Sequence, residues 1–152
     1  MTDSDPAGQS NPSAAPSRLQ AAAASPAVQS AARWFWWIAG LSIINTVLLK
    51  TGTHTNMVVG LGVTLLSDVV LGPANPVGFA VDVIVLAFFL VMGRQAQRGQ
   101  LWAFYAGMAA YGLDALIYLR FRDWVPVAFH ALVIYFIARG VMVLGKAQGK
   151  AG

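Results

Sequence analysis

The chain reads as an all-α membrane protein: a bundle of four transmembrane helices plus one short amphipathic or re-entrant helix, with five transmembrane helices as the alternative. Three observations predict this. Apolar residues make up 57% of the 152 residues and charged residues 11%, against roughly 25% charge in a soluble domain. Several apolar runs approach or reach the roughly 17–25 residues that a bilayer crossing needs. All five tryptophans (Trp34, Trp36, Trp37, Trp102 and Trp124) fall at the ends of those runs, where an indole suits the headgroup level. A small domain exposes much of its surface, so a charge deficit of this size fits lipid better than water.

Residues 1–32 are Ala, Ser, Pro, Gln and Gly for the most part, without an aromatic side chain. Such a stretch buries too little to offset the entropy of ordering it, and a disordered tail is expected. Pro26 limits any helix that starts in Ala21–Ala24. The tail has no apolar core of the kind a cleaved signal peptide carries. The bundle is expected over 33–145, followed by a polar, disordered tail over 146–152.

The first span, Trp34–Leu49, opens on an aromatic cluster behind Arg33 and ends at Lys50, which can snorkel. A polar linker, Thr51–Asn56, leads to Met57–Leu71. At 1.5 Å per residue that segment covers about 22 Å, short of a hydrocarbon core about 30 Å thick. Its Gly60, Thr64, Ser67 and Asp68 share one helical face, as in an amphipathic or re-entrant helix. Gly72-Pro73 ends it. Asn75 and Pro76 then form an N-cap and first helical position for a span that reaches Gly93, with Arg94 and Arg98 in the loop beyond. The next span, Leu101–Leu119, carries Ala103, Ala106, Gly107 and Ala110, small residues that let a neighbouring helix approach. After the turn at Arg120, Arg122 and Asp123, the last span runs from Trp124 to about Leu144, with Asp123 as its N-cap.

Orientation follows from Lys and Arg outside the spans. If Met57–Leu71 does not cross, the N-terminal side holds Arg18, Arg33, Arg94, Arg98, Lys146 and Lys150 against Lys50, Arg120 and Arg122. Six against three favours four crossings with both termini cytoplasmic. If the segment crosses, the split is four against five and carries no bias. A multi-pass protein of the bacterial inner membrane is the expectation.

The polar interruptions gather at one depth. Asp82 and His130 each lie seven residues after an N-cap, about 10 Å in, and Asp114 lies six residues before Arg120, about 9 Å in. Asp68 ends its helix at the same side, and Asn45 joins the layer in the four-crossing arrangement. A charge in hydrocarbon costs about 2.5–3.5 kcal/mol on insertion scales, so these groups are expected to face one another. Tyr111 and Tyr118 share a helix face with Asp114, and their hydroxyls are expected to donate to a carboxylate. One reading is a hydrogen-bonded cluster that fixes helix pairing. A second is a proton or ion relay. A third is a metal site at Asp82, Asp114 and His130, although one imidazole and no local ligand motif make a sparse donor set.

Other chemistry falls away. Without cysteine there is no disulfide, thiolate metal site or thiol catalysis. Gly60-x-Gly62 follows no strand, which argues against a nucleotide loop, and His54 reads as a solvated linker residue. The formal charge of +4 is scattered at segment ends, not striped among aromatics, so nucleic acid is not an expected partner. No cofactor is expected. The partners expected are the lipid bilayer and either another membrane protein or a second copy of the chain.

Three stretches, Ala32–Gly40, Tyr111–Leu116, and Asp123-Trp124 with Phe129–Leu132, resemble a group of small, uncharacterised bacterial integral membrane proteins. The resemblance implies a membrane location and brings no activity, cofactor or partner. The function expected is that of a non-enzymatic structural or accessory subunit, or a small-molecule binder. A transport subunit using the Asp/His layer and a metal-dependent membrane enzyme are the alternatives.

Overall fold

A computed structural model describes residues 14–51, 60–72 and 74–149. Among them the regular structure is all helix, with α1 at Ala14–Ala23, α2 at Pro26–Lys50, α3 at Gly62–Leu71, α4 at Pro76–Gln97, α5 at Leu101–Arg120 and α6 at Trp124–Gly149. The helices α2, α4, α5 and α6 form a closed ring in which α2 packs on α4 and α6, and α5 packs on the same two. The short α3 rests on α4 and α5, and α1 lies chiefly on α6. Of the four ring helices, α4 and α6 are the two whose length and composition suit a membrane crossing.

The centre of the ring is Phe35. Its ring lies 6.4 Å from Phe89 of α4 and 6.1 Å from Phe104 of α5, all three buried. Glycines make this possible. A Cβ on Gly107 would overlap the Phe35 ring, with Cζ only 2.6 Å away, and one on Gly93 would stand 2.9 Å from Trp36 Nε1. The aromatic cluster at 34–37 is therefore split in role. Trp37 faces outward at 62% exposure, Trp34 stacks on Phe136 of α6 at 5.3 Å, and Phe35 is core where an interface anchor was expected.

The expected tail over 1–32 differs in its described part. Residues 14–23 and 26–32 are helical, while residues 1–13 lie outside the described residues. The physical reason is packing through small side chains. Val28, Ala31 and Ala32 are buried, and a Cβ on Gly140 of α6 would overlap Ala31. Ala-rich helices bury backbone and methyl surface at short interaxial distance, with no large side chain needed. Ser25 accepts a hydrogen bond from Val28 N at 3.4 Å and Pro26 opens α2, so this proline starts a helix as well as ending one. Gln29 fastens the corner: its Nε2 donates to the carbonyls of Ala23 and Gln97, at 2.8 and 2.9 Å.

Other boundaries shift outward. The α4 helix continues through Arg94 to Gln97, and α6 continues to Gly149, four residues into the expected C-terminal tail. Asn75 caps α4 as expected, its Oδ1 accepting from Val77 N at 2.8 Å. The short helix begins at Gly62; the linker residues 52–56, His54 among them, and the expected helical start at 57–59 lie outside the described residues.

Beside the apolar core, the interior holds polar side chains and the surface holds large apolar ones. The described buried side chains include Ser42, Asn45, Thr64, Ser67, Asp68, Asp82, Asp114 and His130. The exposed ones include Val69, Val70, Phe79, Ile84, Leu113, Tyr135 and Met142.

Tight glycine contacts at the ring centre predict an asymmetric response to added methyl groups. Gly107→Ala is expected to lower stability by about 1–3 kcal/mol through overpacking against Phe35, whereas Gly145→Ala, with nothing within 4 Å of the added carbon, is expected to be neutral or slightly stabilising. Unfolding midpoints of the two variants in detergent check this.

Candidate functional site

The first amides of a helix have no partner within it, and α3 begins where no local side chain supplies one. Leu61, the residue before α3, is extended and offers no cap. The missing acceptors come from other helices. Asp114 of α5 accepts from Gly62 N through Oδ2 and from Val63 N through Oδ1, each at 2.8 Å. Ser42 of α2 accepts from Leu61 N at 3.0 Å while donating to Ile38 O at 2.8 Å. Tyr118 donates to Gly60 O at 3.0 Å, and Thr64 Oγ1 donates to Leu61 O at 2.8 Å. A carboxylate at this position also meets the positive end of the helix dipole. The two glycines admit these groups. A Cβ on Gly62 would stand 2.9 Å from Tyr118 Cε2, and one on Gly60 would stand 2.8 Å from the buried Asn45 amide nitrogen.

Asp114 is held from its other side by His130, whose Nε2 lies 3.0 Å from Oδ2. The other ring nitrogen, Nδ1, lies 2.8 Å from the Pro126 carbonyl. A carbonyl only accepts, so Nδ1 carries a proton. The imidazole is fully buried, with Tyr111 stacked on it at 4.1 Å and 18° and the Tyr118 ring 5.4 Å away.

A second polar contact joins α3 to α4. Ser67 Oγ lies 2.9 Å from Asp82 Oδ1 and 2.9 Å from Thr64 O, a shared bond that ties α3 along its length to the early part of α4. A Cβ on Gly78 would lie 3.8 Å from the Leu71 side chain. So α3 and α4 run antiparallel, and α3 rises from the level of Asp114 to end near the start of α4. Asp68 is buried on the same face of α3 as Thr64 and Ser67.

Of the side chains expected in one layer, Asp114 and His130 meet directly, with Tyr111 and Tyr118 against the imidazole. Asp82 is engaged by Ser67, and Asn45 stands beside Gly60. Tyr118 differs from expectation: it donates to a backbone carbonyl, not to a carboxylate. The Tyr111 hydroxyl is buried with no hydrogen-bond partner among the described residues. Nor do any three His, Asp or Glu side chains among the described residues gather as a group able to hold a metal ion. Ser42 escaped the sequence reading, although its spacing of three from Asn45 places both on one face of an otherwise apolar run.

Beside Asp114 lies a cleft of about 450 Å³ between α4 and α5, closed at one end by the start of α3. Leu61, Ile84, Phe88, Phe89, Leu113 and Ile117 are among its walls, and Asp114 is its charged group.

Removing the carboxylate orphans two amides and an imidazole at once. Asp114→Ala is expected to destabilise the protein by about 3–5 kcal/mol, as for a broken buried pair. Asp114→Asn keeps one acceptor and is expected to cost about 1–3 kcal/mol. Unfolding in graded denaturant, with hydrogen exchange at Gly62 and Val63, checks both values and the location. No family model, curated protein or solved structure matches this chain, so the likeness of its three stretches brings no family with it.

Proposed function

We propose that the chain is a multi-pass membrane protein acting as a non-enzymatic bundle: a structural or accessory subunit with a seat for a small apolar molecule. The many large apolar side chains exposed on the surface carry this reading. In the two most apolar helices only 28% and 33% of the most apolar stretch is buried, the reverse of what a core helix in water requires. At 1.5 Å per residue α2, α4, α5 and α6 reach about 30–39 Å, enough for a core about 30 Å thick, while α3 reaches about 15 Å. In this reading the four ring helices cross and α3 is re-entrant. Non-helical backbone at depth is tolerated only where protein satisfies it, and the bonds to Gly60, Leu61, Gly62 and Val63 meet that condition. Both termini face the cytoplasm by the six-to-three distribution of cations. A bacterial inner membrane is the setting that the resemblance implies.

The same bonds favour a structural role for the polar layer. Both oxygens of Asp114 already serve backbone amides, so the group acts as a fastener. The adjoining cleft has the volume of a small-ligand pocket, typically about 300–1,000 Å³, and a mostly apolar wall.

The absence of native cysteine makes topology directly testable. Single variants Gln20→Cys and Gly149→Cys are expected to react with an impermeant thiol reagent from the cytoplasmic side, and Phe121→Cys from the opposite side. The chain is expected to stay with membranes in alkaline carbonate. Release by carbonate, or labelling of all three positions from one side, sinks the reading.

Proton handling is a second reading, favoured by the buried Tyr111 hydroxyl and by the stacking of its ring on the imidazole that meets Asp114. It predicts that proteoliposomes carrying the protein show a dye-reported proton flux, lost in His130→Gln and reduced in Tyr111→Phe. Proteoliposomes no leakier than empty vesicles rule it out.

A further inference from the structure

The face of the α2/α6 pair opposite the polar layer carries two cations that no bond among the described residues explains. Trp34 of α2 stacks on Phe136 of α6, and Gly140 meets Ala31, so the two helices run antiparallel with these residues on their contact line. At 100° per residue, Arg33 and Trp37 lie about a quarter turn from Trp34. Tyr135 and Arg139 lie about a quarter turn from Phe136. Because the helices are antiparallel, both rotations lead to the same outer face. All four side chains are exposed there, with Trp37 at 62% and Tyr135 at 58%. The same contacts set their depth. Arg33 and Arg139 stand within about 3 Å of one level along the pair, with Trp37 and Tyr135 one turn further towards the polar layer.

We propose that this face binds the phosphate of an anionic phospholipid between the Arg33 and Arg139 guanidiniums. The inference rests on the membrane reading above and adds the ligand and its seat. Charge complementarity selects the headgroup. Among the described residues the carboxylates are Asp68, Asp82, Asp114 and Asp123, all towards the opposite end of the bundle, so no described carboxylate neutralises the two cations. Guanidinium groups bind phosphate oxygens in bidentate fashion. The apolar continuation selects a lipid over a free anion. Beyond Trp37 and Tyr135 the face carries Ile44 on α2 and Leu132 on α6, exposed at 47% and 48%, a surface for acyl chains beneath the headgroup. Aromatic side chains one turn below a cation match the headgroup boundary.

The test uses the full chain purified in a mild detergent with mixed phosphatidylglycerol and phosphatidylcholine, and native mass spectrometry to count bound lipid. The wild type is expected to retain phosphatidylglycerol over phosphatidylcholine. Each cation near an anionic surface contributes about 1 kcal/mol, so Arg33→Gln with Arg139→Gln is expected to lower that preference by about tenfold to thirtyfold. The Lys pair at the same positions is expected to keep much of it, and Arg120→Gln with Arg122→Gln all of it. Sodium phosphate at matched ionic strength is expected to leave the lipid bound. A wild type without preference, a Gln pair that retains it, an equal loss in the Arg120/Arg122 variant, or displacement by phosphate each overturns the assignment. Carbonate extraction separates the two claims: release into carbonate removes the membrane reading and this inference together, while a chain that stays in the membrane without lipid preference removes the inference alone.

Discussion

A polypeptide that starts a new helix among apolar neighbours must find acceptors for amides that the helix cannot satisfy itself. Here that requirement falls on Gly62 and Val63, and one carboxylate meets it. Asp114 joins the start of α3 to α5, and through His130 it joins both to α6. Ser42 brings in α2 through Leu61, and Ser67 brings in α4 through Asp82. The helices α2, α4 and α5 are thus bound to the short helix or to the residue before it by a buried polar contact, and α6 is joined to it through Asp114. The rest of the arrangement adapts to this. Gly60 and Gly62 are bare so that Asn45 and Tyr118 can come close, and His130 is oriented by a carbonyl of its own helix.

The opposite half of the ring holds together by different means. Around Phe35 no charge is buried among the described residues, and aromatic edges meet glycine gaps. Dispersion between closely fitted surfaces dominates there, and it needs no solvent to expel. One half of the bundle therefore depends on specific bonds between few atoms, the other on shape over many. The outer surface takes part in neither. Its exposed Val, Ile, Leu and aromatic side chains are what would be costly in water and, in the reading proposed above, are at ease among acyl chains.

Much of this architecture was legible in the residues. Asn75-Pro76 marked the start of α4, and the offsets of Gly60, Thr64, Ser67 and Asp68 marked the buried face of α3. Asp114 and His130 were placed at matching depth by counting from helix ends. What was hidden had physical reasons. The helices over 14–32 are stabilised by tertiary contacts between alanine and glycine, which leave no hydrophobic periodicity in the sequence. The role of Asp114 as a cap in trans is invisible locally, because its partners lie 51 and 52 residues away along the chain. A similar separation hid the role of Tyr118, whose carbonyl partner is 58 residues away.

That separation also orders events in time. During synthesis α3 emerges well before α5, and its first amides have no acceptor until Asp114 has been made. At about 5–20 residues per second, a gap of 52 residues leaves the start of α3 open for about 3–10 s. The final closure joins segments distant along the chain, the kind of contact that forms late and slows folding. Any agent that shields exposed backbone would find its substrate in that interval.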